Sequence, residues 1–141
     1  MIRIALAAGI VALSAGALHA QPAKSPWPAD AKLYIISPKN GETVSGPVTV
    51  LFGLKGLGVA PAGIEKEKTG HHHLLINTKI PAALDEAIVA DKNHVHFGGG
   101  QTQATIELPP GQHTLQLLMG DHNHIPHNPP LASEVVTITV K

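Results

Sequence analysis

The chain has 141 residues, with ten Lys plus Arg against ten Asp plus Glu, ten histidines and no cysteine. A balanced charge without a basic stripe argues against nucleic acid as a partner. The lack of cysteine excludes thiolate metal sites, iron–sulfur clusters and blue copper.

Residues 1–20 open with Arg3, continue as the apolar run Ile4 to Leu18 and end on His19-Ala20. That is the layout of a secretory signal peptide, with cleavage expected after Ala20. The run is about 15 residues, short of the roughly 20 needed to cross a bilayer, and no later stretch approaches that length, so no membrane span is expected in the mature chain. The product is expected in the periplasm or secreted. Removing the leader takes away the only arginine and leaves Met119 as the only methionine, which excludes a methionine-lined Cu(I) site. Imidazole with oxygen remains, a donor set that suits Cu(II), Zn, Ni or non-haem Fe.

Residues 21–32 are rich in Pro, Ala and Lys without periodicity and read as a flexible leader, with Trp27 as a candidate anchor. From Leu33 onward, short runs of Val, Ile, Thr and Leu alternate with Gly, Pro and Asn, the rhythm of an all-β sandwich. Seven strands are expected: Leu33–Ser37, Thr49–Leu54, His72–Ile76, His94–Phe97, Ala104–Leu108, His113–Met119 and Glu134–Val140. In the last, Val136, Ile138 and Val140 share one face. Pro81–Ile88 has a helical flavour but is too short to anchor a helical layer, and reads as a loop. Residues 33–141 are expected to form a single domain, an immunoglobulin-like antiparallel β-sandwich, and Ile36–Val44 reads like the first strand and turn of immunoglobulin-like or fibronectin-like modules. A chain of this size buries roughly two thirds of its unfolded surface, enough for one apolar core without disulfides.

The histidines cluster at His71-His72-His73, His94-x-His96 and His122-x-His124-x-x-His127. In a strand, alternate side chains share a face about 7 Å apart, so His71 and His73 point together, as do His94 with His96 and His122 with His124. Such pairs can chelate one ion; the competing reading is a solvated, pH-sensitive surface, since unperturbed imidazoles titrate near neutral pH. In the last cluster, Pro126, Pro129 and Pro130 stiffen the loop, which favours His124 and His127 over His122. His113 is in phase with Leu115 and Leu117 and reads as a buried structural residue. No role is assigned to His72, His94 or His122. Asp121, Asn123, Asn93, Asp91 and Asn77 are the expected outer partners of metal-bound rings, with Asp121 also a candidate ligand. Gly98-Gly99-Gly100 permits a loop around the site or a plain hairpin tip.

The motifs Thr69–Ile76, His96–Thr102 and Leu108–Leu117, with Gly120-Asp121 and Pro126-His127-Asn128-Pro129-Pro130, resemble an exported bacterial family catalogued as domain of unknown function 4399. The resemblance covers about residues 50–141. It implies a small secreted or periplasmic domain and carries no catalytic residues with it. His94-Val95-His96 is also similar to the strand His-Val-His of copper-zinc superoxide dismutases, a likeness of site type alone, because the cysteine pair of most of those enzymes is missing.

The leading expectation is one copper ion, with zinc as the alternative, held by His71, His73, His96, His124 and His127 for copper handling or delivery to a periplasmic copper-accepting protein. The second is a mononuclear copper or zinc enzyme of oxidoreductase or hydrolase type, using an open position on the ion; no H-E-x-x-H and no nucleophile signature is present. The third is a cell-envelope interaction module without metal, weakened by the small aromatic content of the chain.

Overall fold

The computed structural model describes residues 25–141; the expected signal peptide and residues 21–24 of the leader lie outside them. The strands are β1 (Lys32–Ser37), β2 (Thr43–Val44), β3 (Val48–Lys55), β4 (Gly58–Val59), β5 (Thr69–Ile76), β6 (His94–His96), β7 (Gln103–Ile106), β8 (Gly111–Gly120) and β9 (Val136–Val140). No helix occurs among the described residues, so Pro81–Ile88 is loop and no helix is long and apolar enough to cross a membrane. All seven expected strands form. The count rises to nine because β2 and β4 pair in parallel with β9 and β5 through two residues each, too few to leave a periodic signal.

A three-stranded sheet, β1-β3-β7, faces a larger one ordered β2-β9-β8-β5-β4, with β6 also on β5. β4 and β6 share the same edge of β5, one against its start and one against its end. Strand alternation builds the core between the sheets: Val48, Val50 and Phe52 from β3 meet Leu115, Leu117 and Met119 from β8, with Leu74, Ile76, Val136 and Ile138 beside them. Tyr34 and Ile36 on β1 stay exposed.

β5 is buried along almost its whole length, and it has two apolar neighbourhoods. His72, Leu74 and Ile76 point inward. The alternate row, His71, His73 and Leu75, lies on the outer face of the sheet, where Leu75 packs with Ile88 and Leu118 in a separate small cluster. Loops 77–93 and 121–135 cover that face. Unstructured connections of this length are uncommon in small domains and usually serve a site.

Of the expected leader, residues 25–31 are described. Trp27 is tied to the fold by its indole Nε1–H, which donates to the Pro126 carbonyl at 2.7 Å.

Candidate metal centre

Strand period two puts His71 and His73 on one face of β5. Antiparallel register sets His96 of β6 directly opposite His73, so its ring arrives on the same face. His124 comes from the loop after β8, where φ of 66° turns its ring over the strand. For a residue with a Cβ, such a backbone costs about 1 kcal/mol or more, and the loop must hold it there.

The four rings pack together, their six centroid separations running from 4.6 to 5.8 Å. One ligand atom from each lies within 4.8 Å of the other three. Four imidazole nitrogens bound tetrahedrally at about 2.0 Å would set their ring centroids about 5 Å apart, so the spacing fits a single ion. Two glycines make the room. Gly120 faces His71 across the β5–β8 pairing, and a Cβ on it would come within 2.7 Å of His73 Cε1 and 3.2 Å of the His124 Cα. A Cβ on Gly98 would fall 2.3 Å from His96 Cε1.

His71 and His73 are fully buried and His96 and His124 half-buried, so solvent reaches the last two residues alone. Only one hydrogen bond joins it, between His71 Nε2 and His124 Nδ1 at 3.0 Å. His71 Nδ1, both nitrogens of His73 and His96 Nε2 are buried without a protein partner. Buried polar atoms are rarely left this way, and an unpaired one costs about 1–3 kcal/mol. Burial pushes His71 down to about 4, with the neighbouring His124 and His96 rings adding to it. His73 is pushed down to about 3, again by burial first and then by His71 and His96. His96 is lowered by burial and by His124. At neutral pH these three rings are uncharged, the form a metal needs.

Residues 50–141 match the family model described as domain of unknown function DUF4399. The chain belongs to this family. The matched stretch begins inside β3 and holds every one of the four rings, while β1 and β2 precede it. No curated protein and no solved structure matches the chain significantly.

Within the DUF4399 domain the remaining histidines are a different population, four of the five having a polar partner. His127, expected among the ligands, stands apart from the four: its Nε2–H donates to Asp121 Oδ2 at 2.7 Å and its ring packs edge-on against Trp27. His94 donates from Nδ1 to Asp91, and His122 accepts from Asn123. His113 is buried as expected, accepting from Asn77 Nδ2 and donating to the Pro109 carbonyl. Asp91, Asn77, Asn123 and Asp121, the expected outer partners of the metal-bound rings, thus hold these other histidines instead. Asn93 donates to the Ile76 carbonyl. His72 is the exception: it lies in the core against Phe52 with neither nitrogen in hydrogen-bonding geometry, and burial pushes it down to about 4 against a smaller opposing effect of the nearby Gln101 backbone. Gly120 has no role legible in the sequence; its place as the last residue of the apolar strand β8, just before the last histidine cluster, is the one available signal.

Proposed function

We propose that this protein binds one transition-metal ion, copper in the first instance, through His71, His73, His96 and His124, and hands it to a copper-accepting protein in the periplasm or outside the cell. The observation that carries this reading is four mutually contacting imidazoles whose buried nitrogens lack other partners. Neutral nitrogen donors suit copper and zinc, and affinities along the divalent series favour copper where both are free. The layout of residues 1–20 supports export.

Four rings can complete the tetrahedral shell of zinc or occupy the four strong positions of a Cu(II) ion. Closed sites hold an ion, whereas catalytic ones keep a place for water or substrate, so binding is favoured over turnover. Elemental analysis of the untagged protein, purified without added metal or chelator, tests the reading beside a His71→Ala, His73→Ala double variant. One copper per chain is expected in the wild type. In the variant, affinity should fall by more than the 10- to 100-fold typical of losing an outer partner. Zinc in place of copper would change the metal and keep the site. No transition metal, and none taken up on titration, would overturn the reading and move the interaction-module alternative ahead.

A further inference from the structure

Handing the ion on from a four-imidazole site requires that one ring give way to a partner's ligand. His71 and His73 lie on β5, which is paired on both sides, and His96 lies on β6 in register with it. His124 alone stands on irregular backbone, in the left-handed region, and is half-buried. Asp121 supplies most of the hydrogen bonds within its turn, while the Ile88 N–H from loop 77–93 donates to the His124 carbonyl at 2.9 Å. The Asp121 carbonyl accepts the His124 N–H at 2.9 Å, and the Asp121 N–H donates to the Ile125 carbonyl at 3.1 Å. Asp121 Oδ1 accepts the N–H groups of Asn123 and Ile125 at 2.8 and 2.9 Å, and Oδ2 accepts from His127. Asp121 therefore grips the chain immediately on both sides of His124. His127 in turn rests on Trp27, whose indole holds Pro126. Asp121 and His127 also line a cavity of about 220 Å³ together with Trp27 and the 64–69 segment.

We infer that His124 is the exchangeable ligand of the centre and that Asp121 is the positioning residue that keeps it on the ion, clasped by His127 and Trp27. This rests on the metal reading above. Loosening the grip frees the fourth ring while the three strand-borne rings keep the ion, which gives a partner's ligand a place to enter. The same arrangement makes the 25–31 segment part of the release device.

The test loads wild type, Asp121→Ala, Asp121→Asn, His124→Ala and the Asp121→Ala, His124→Ala double variant with Cu(II). It reads the number of bound nitrogens by electron paramagnetic resonance and the rate of copper loss to a chelator. Asp121→Ala should bind one ion with the spectrum of His124→Ala and release it about 10- to 100-fold faster than wild type, the range for an outer partner. Asp121→Asn keeps a carbonyl for the two backbone N–H groups and should fall between. The double variant should release no faster than His124→Ala alone, because both changes remove the same ring. A wild-type spectrum and rate in Asp121→Ala would overturn the inference, as would effects that multiply in the double variant. Should Asp121→Ala fail to fold, a wild-type rate in Asp121→Asn overturns it and an intermediate one supports it. Failure of wild type itself to take up copper would sink the metal reading, and this inference with it, and is seen separately from the variants.

Discussion

Three consecutive histidines have two fates, decided by nothing more than the two-residue period of the strand. His71 and His73 meet other rings on the outer face, while His72 enters the core beside Phe52 with neither nitrogen paired. A buried imidazole without partners carries a desolvation cost that a leucine of comparable volume avoids. His72→Leu should therefore raise the stability of the metal-free protein by about 1 kcal/mol or more, measured by denaturant unfolding, and leave metal stoichiometry unchanged. Lower stability would reveal a structural use for that ring. His71 and His73 were legible as a pair because alternation is written in the sequence. That His124 joins them while His127 does not was not legible, since both stand on left-handed backbone and what separates them is the Asp121 carboxylate 2.7 Å from His127, a contact that leaves no mark in spacing.

Strand β5 concentrates the unusual electrostatics of the fold. His71 and His72 are pushed to about 4 and His73 to about 3, each chiefly by burial, against about 6.5 in the unfolded chain. Above that value all three are neutral in both states and pH has no effect through them. Between about 6.5 and 4 the unfolded chain binds protons that the folded one refuses, so stability rises with pH in this window and is lost as pH falls. Hydrogen bonds from Ile125, His127 and Asn123 outweigh burial and hold the Asp121 carboxyl below its usual range, an effect of the same sign at lower pH. Denaturation of the metal-free protein at several pH values should show uptake of more than one proton on unfolding near pH 5.5. Uptake of none would mean that the rings are already charged in the fold. The strands themselves were readable from alternation, as Val136, Ile138 and Val140 show. The two-residue pairings of β2 and β4, and the closing of loops 77–93 and 121–135 over one face, come from tertiary contacts and not from pattern.

For the molecule as a whole, the apolar core lies between the sheets and the four rings lie outside it. The sandwich should fold without an ion, and an ion should then add stability by mass action. At a free concentration 100 times the dissociation constant the gain is about 2.7 kcal/mol, or a rise in Tm of about 10 °C for a domain of this size. Thermal unfolding with copper, and again after chelation, checks both parts; a protein unfolded at room temperature when stripped would contradict the first. The rings are also far apart in order of synthesis. A chain emerging from its N-terminus presents His71-x-His73 early and His124 only near the end, so a growing chain offers a weak two-ring site and the finished one a closed cage. On the metal reading proposed above, tight capture of an ion would be a property of completed molecules, and half-made ones would be left free to fold without it.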